Sequence, residues 1–226
     1  KSTSDFPSRS LMPNKRLFEP SALILSDSPS SVVALMRRSG SVVGVSLDDA
    51  EPSGFLQSQW RHDQIFSRIY SSASSEDLLV LYGIDEFRNE DGSTNSESKI
   101  RILDMASGEI ISEFVPRGVL DVTWIEITPV GTILLGSSQG VQCWTSELKP
   151  ELLWNQTSER GATLVGVDMF QSVYFGDSVI IPKPGSELVI IDIFTGSTND
   201  RGFQFTDLAQ SGGSAFRGIS ATSDSL

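Results

Sequence analysis

Cysteine and histidine are almost missing. The 226 residues contain one of each, Cys143 and His62. A single thiol cannot close an internal disulfide, so a disulfide-stapled secreted domain is excluded and a reducing compartment, cytoplasm or nucleus, is expected. With one histidine, the supply of convergent acid, base and metal-binding groups is poor, and no catalytic residue, metal site or cofactor is expected. No apolar run approaches the roughly 18–20 residues that span a bilayer, so membrane insertion is not expected. Positive charge is scarce, with 17 Lys and Arg against 29 Asp and Glu. The net charge of −12 would repel phosphate backbones, which argues against direct nucleic-acid binding. No signal-peptide pattern is visible, and a chain that begins at Lys1 rather than Met is expected to be part of a longer polypeptide.

What is present is short-period hydrophobicity. In Leu120–Thr145, the residues Val122, Trp124 and Ile127 alternate with polar neighbours, close to the period-2 pattern of a half-buried strand. Thr128-Pro129-Val130-Gly131 reads as a tight turn. Ile133-Leu134-Leu135 suits a strand buried on both faces. Ser137-Ser138-Gln139-Gly140 is a second turn, and Val141–Trp144 a third strand. Cys143 falls on that strand and reads as a small buried hydrophobe rather than a nucleophile.

The run TPVGTILLGSSQGVQCW resembles the middle of a WD-repeat blade: strand, Pro/Gly turn, apolar strand, Gly-containing turn, and a strand closing near a Trp-Asp pair. Here Trp144 is followed by Thr145, so the aspartate is missing, and the Gly-His pair that often opens such repeats is absent. The resemblance implies an all-β fold, a β-propeller of four-stranded antiparallel blades.

Internal repetition agrees with that implication. Ile100–Gly108 and Val189–Gly196 both read as a third strand followed by Asp and a small-residue/Gly turn. Asp104 and Thr145 lie 41 residues apart and Thr145 and Asp192 lie 47 apart, near the blade length of about 40–45. A hairpin at Val32–Val45 forms a fourth copy, offset by the polar insert Asp85–Ser98. A β-sandwich or another β-fold is the competing architecture. The expected organisation is a lead-in over 1–20, blades over 21–60, 61–115, 116–157 and 158–208, and a Ser/Gly-rich tail or the start of a further blade over 209–226. Propellers usually close with about 4–8 blades, so any further blades are expected from other sequence or another chain.

Between the strands, Gln59–Tyr70 shows loose helical spacing, but a strand at Ile65–Tyr70 fits a propeller better. Asp85–Ser98 is acidic and contains Gly92, yet it fails as a calcium loop because Phe87 and Ser98 fall where carboxylates are required. It is expected to be a solvated loop. Leu148–Trp154 and Phe203–Phe205 are expected outer strands, and Thr163–Asp168 and Ser178–Pro182 the first two strands of the last blade. Asn155-Gln156-Thr157 matches the glycosylation acceptor pattern, which matters only in a secretory compartment.

The resemblance implies a non-enzymatic scaffold inside a multi-subunit assembly, with protein subunits as partners. Arg37, Arg38, Trp60, Arg61 and His62 are the candidate partner-binding residues, since Arg and Trp are favoured interface anchors. The competing reading leaves the arginines as solvated turn residues and Trp60 in the core. A propeller-fold enzyme, hydrolase or quinone-dependent, and a secretory-pathway receptor or cargo propeller are the alternative functions. Asp104 and Asp192 recur at one position per blade, as a turn-stabilising hydrogen bond would produce.

Overall fold

The computed structural model describes residues 22–25, 32–37, 39–46, 57–75, 77–117, 122–137, 140–157, 173–183 and 187–199. Among the described residues, sixteen strands form four antiparallel sheets, each a four-strand meander in chain order. Blade 1 contains β1 (Ala22–Leu25), β2 (Val32–Met36), β3 (Val42–Ser46) and β4 (Gln57–His62). Blade 2 contains β5 (Arg68–Ser74), β6 (Leu78–Arg88), β7 (Thr94–Asp104) and β8 (Ile110–Phe114). Blade 3 contains β9 (Val122–Ile127), β10 (Ile133–Ser137), β11 (Gly140–Trp144) and β12 (Leu152–Thr157). Blade 4 contains β13 (Val173–Phe175), β14 (Ser178–Lys183), β15 (Glu187–Asp192) and β16 (Thr198–Asn199). This is the blade architecture of a β-propeller.

Alternation along the middle strands explains why the blades stack face to face. Side chains on a strand point to opposite faces with period two. In β6, Leu79 and Leu81 join the core with blade 1, and Val80 and Tyr82 join the core with blade 3. In β10, Ile133 and Leu135 face blade 2 and Leu134 faces blade 4. Such strands must be apolar at every position, which is how they read in the sequence. Cys143 is buried in the core between blades 3 and 4.

Several local expectations are corrected. β5 runs on to Ser74, through a bulge at Tyr70, where a polar turn was expected. Short serines and Ala73 pair with β6 there, so ladder bonds override the polar composition. The outer strand of blade 3 begins at Leu152, not Leu148. Thr145 first closes a loop by accepting a hydrogen bond on Oγ1 from Glu151 N–H. In blade 4 the strand that pairs with β14 is β13, and β16 pairs with β15, in the places expected of Thr163–Asp168 and Phe203–Phe205. Those two segments, the lead-in and the tail lie outside the described residues.

The largest correction concerns Asp85–Ser98. It is a hairpin, not a loop. β6 and β7 pair without interruption from Leu78↔Asp104 to Arg88↔Thr94, and the turn occupies Asn89–Ser93. Asn89 N–H bonds to Ser93 C=O, and the Asp91 carboxylate accepts from Ser93 N–H (2.8 Å) and Ser93 Oγ (2.6 Å). Gly92 supplies the positive φ, 86°, that closes the turn.

Candidate protein-interaction site

β5 pairs with β6 only as far as Arg68↔Ile84, and β8 pairs with β7 only as far as Ile100↔Phe114. Beyond those points β6 and β7 continue alone as a two-stranded ribbon. A free two-stranded hairpin is marginal in water, so its root must be held.

It is held by an ion-pair network. Arg101 donates from Nη2 to Asp85 Oδ2 and from Nε to Glu113 Oε2, both at 2.6 Å. Lys99 Nζ lies 3.1 Å from Glu113 and 3.0 Å from Glu97. The Arg101 guanidinium also sits over the Phe66 ring, 4.3 Å from its centre. Fixing one guanidinium by two carboxylates and an aromatic face leaves it little rotational freedom. Burial pushes the Glu113 carboxyl up, but the bonds from Arg101 and Lys99 outweigh it and hold the group below its ordinary value. The bonds to Glu97 and Glu113 push the Lys99 ammonium above its ordinary value. On the same face as Asp85, Phe87 stands 48% exposed further along the ribbon.

The residues expected to bind a partner are placed differently. Trp60 is buried, not exposed. Its indole N–H donates to Met105 C=O across the junction between blades 1 and 2 (2.9 Å). His62, two residues on, places Nε2 2.7 Å from Gly108 C=O, so Nε2 carries the proton. Both are used in joining blades. Arg61 is exposed and paired with Asp63. Arg37 ends β2 in the β2–β3 turn, the same connection that in blade 2 becomes the ribbon. Arg38 lies outside the described residues.

The clasp at Trp60 recurs at the junction of blades 3 and 4. Trp154 N–H donates to Ile193 C=O at 2.9 Å, and Gln156 Nε2 bonds to Gly196 C=O. So Trp60 and Trp154 are equivalent, and His62 and Gln156 are equivalent. Each indole lies on a glycine in the left-handed region, Gly108 (φ 72°) or Gly196 (φ 69°). Asp104 and Asp192 form the turns that present these glycines. Asp104 Oδ1 accepts from Ser107 N–H (2.6 Å) and Oγ (2.7 Å). Asp192 Oδ1 accepts from Thr195 N–H and Oγ1 (both 2.8 Å). Those bonds lower both carboxyls, from Ser107 Oγ foremost at Asp104 and from Thr195 N–H foremost at Asp192. The recurring Asp–x–x–Ser/Thr–Gly was legible in the sequence. The long-range partner of each turn, a Trp about 40 residues upstream, leaves no local signal in the sequence.

The fold and these junctions define a β-propeller segment. Among solved structures, the chain is similar to Sqt1 from Chaetomium thermophilum bound to the N-terminus of the ribosomal protein L10. The TM-score is 0.55 at 14% identity, covering 76% of this chain and 45% of that one. It is also similar to the β-propeller domain of Cps50 (Swd1) from Myceliophteria thermophila, with TM-score 0.53 and 17% identity, covering 81% and 55%. BamB from Moraxella catarrhalis gives TM-score 0.51 and 13% identity, covering 80% and 51%. The chain thus spans about half the length of the solved propellers it matches. No protein-family model matches it, and no curated protein matches it in sequence.

Proposed function

We propose that this chain is a non-enzymatic protein-interaction scaffold, the propeller segment of a larger subunit in a multi-protein complex. The observation that carries this reading is the β6–β7 ribbon. It extends past both neighbouring strands of its own sheet, it is stiffened at its root, and it presents an exposed aromatic residue. Stiff projections on a fixed frame bind with little ordering cost. Sqt1 supports the reading, being a propeller solved in complex with a protein segment. The net charge of −12 favours partners with basic surfaces. Further blades would come from the same polypeptide or from a partner chain, and the compartment would be cytoplasm or nucleus.

The test is native mass spectrometry of the endogenous protein after gentle size-exclusion chromatography. The expected result is a hetero-complex with subunits in fixed stoichiometry. Elution of the protein by itself at every concentration would overturn the reading.

A further inference from the structure

Within the ribbon, the hydrogen-bonding direction of every residue is set by the turn. Asn89 points inward: its N–H donates to Ser93 C=O and its C=O accepts from Gly92 N–H, so Asn89 and Ser93 stand at an inward-pointing position of the ladder. In an antiparallel ladder such pairs alternate with pairs whose N–H and C=O groups point outward. Counting along the unbroken register, Arg88↔Thr94, Glu86↔Ser96 and Ile84↔Ser98 are the outward-pointing pairs. Two independent bonds agree with that count. Glu86 N–H donates outward to Ser67 Oγ (2.9 Å), and Ile84 C=O accepts outward from Ser67 N–H (2.9 Å). The β6 edge is therefore partly capped by Ser67.

Among the described residues the β7 edge has no such cap. Thr94, Ser96 and Ser98 aim three N–H and three C=O groups away from β6, and no described residue meets them. Thr94 to Glu97 are exposed. β8 cannot continue alongside them, because it ends at Phe114 and Pro116 follows, which has no N–H to give. The outer strands of blades 1, 2 and 3 are managed. The β3–β4, β7–β8 and β11–β12 pairings each carry a bulge. Of the usual protections of an exposed edge, Thr94–Ser98 has neither bulge nor proline nor lysine, and its one charge is Glu97.

We infer that the β7 edge at Thr94–Ser98 receives an extended, basic segment of a partner protein by strand addition. This rests on the scaffold reading and names its surface. Backbone bonds to Thr94, Ser96 and Ser98 supply the register. The basic character follows from charge complementarity: of the five carboxylates in 85–98, Asp85 and Glu97 already meet Arg101 and Lys99, which leaves Glu86, Glu90 and Asp91 against Arg88 alone. Glu97 lies on the edge strand itself, and Phe87 on the same face offers its ring to the aliphatic stem of a lysine. A second copy of this chain would set Glu97 against an acidic ribbon, which like-charge repulsion opposes.

The probe is a capped peptide of alternating lysine and valine, titrated into the full chain by calorimetry and followed by amide exchange. Binding is expected to slow exchange at Thr94, Ser96 and Ser98. Methylating alternate backbone nitrogens of the peptide keeps its charge but removes its edge bonds, and affinity is expected to fall about tenfold or more in one of the two methylation phases. A glutamate–valine peptide is expected not to bind. On the protein side, Ser96→Pro removes one outward N–H and leaves the β6–β7 ladder intact, so binding is expected to be lost with the melting temperature held. If that variant melts early, the methylated peptides on the native chain decide. Equal binding of methylated and unmethylated peptides, protection at another edge, absence of binding, or dimerisation of the chain abolished by Ser96→Pro would each overturn the inference. A stable endogenous complex with a silent β7 edge would sink this inference alone and leave the scaffold reading standing.

Discussion

The junctions between blades 1 and 2 and between blades 3 and 4 are built alike, and the junction between blades 2 and 3 is built differently. In the first kind, a tryptophan on the outer strand reaches forward, lies on a left-handed glycine and donates to a carbonyl of the next blade. The tryptophan always follows the outer-strand bulge. Gly44↔Trp60 and Cys143↔Trp154 are the pairs that flank the register shift. In blade 2 the corresponding pair is Ile102↔Ser112, so a small buried serine stands in the tryptophan position. The acceptor is missing as well. After β11 comes Thr145 and a longer loop, with no Asp-built turn and no glycine to receive an indole.

The space is filled from the opposite direction. Trp144, on the third strand of blade 3, points back toward blade 2 and stacks on Phe114 with ring centres 4.7 Å apart. Its N–H donates to Gln142 Oε1 (3.0 Å), and Gln142 Nε2 donates to Arg117 C=O (2.6 Å). Gln142 is buried with a partner at each of its amide atoms, as a polar group in a core needs. Donor and acceptor of the clasp are thus lost together, and a different aromatic takes over. The clasp is a coupled pair of features rather than a tryptophan motif.

The largest break should come at the clasps. Trp60→Ala and Trp154→Ala are each expected to cost about 3–5 kcal/mol, by lost burial and an unmet carbonyl, read by urea denaturation. Ser112→Ala, at the equivalent place, should cost far less, and a comparable loss there would refute the distinction. Next is Gly108→Ala. The left-handed backbone costs about 1–2 kcal/mol for a residue with a Cβ, and that Cβ would also overlap the Trp60 indole. In a Trp60→Ala background only the backbone part should remain, and a double-mutant cycle measures the difference. Phe114→Leu keeps the apolar volume but breaks the pair with Trp144. A loss of about 0.5–1.5 kcal/mol is expected, with no coupling to either clasp.

The smallest effect is on acid stability. Asp104 and Asp192 have lowered values when folded, so their contribution is present above the unfolded carboxylate pKa and fades as pH falls through the lowered one. Asp104→Asn and Asp192→Asn should each flatten the loss of stability below about pH 4, seen by acid titration of the melting temperature. Thr145→Ala, at the junction with no such turn, should leave that slope unchanged.

Much of the fold was legible because middle strands sandwiched between blades must be apolar throughout, as Leu78–Tyr82 and Ile133–Leu135 are. The ribbon was hidden for the opposite reason. Its strands are largely solvated on both faces, so Asp85–Ser98 shows no alternation and a single apolar residue, Phe87, and its order comes from the turn at Asn89–Ser93 and from salt bridges to Lys99 and Arg101. Of the two readings open for Trp60, the core one holds, but its partner Met105, and the Gly108 carbonyl that meets His62, lie more than 40 residues away and composition carries no trace of them.

Cys143 gives the molecule a built-in strain gauge. Its thiol is shut between blades 3 and 4, and burial pushes its pKa up, so it is a poor thiolate while that junction is closed. Within these 226 residues no other sulfhydryl competes for reagent. The rate at which a thiol probe reaches Cys143 therefore reports how often blade 4 parts from blade 3, one seam at a time and without any engineered label.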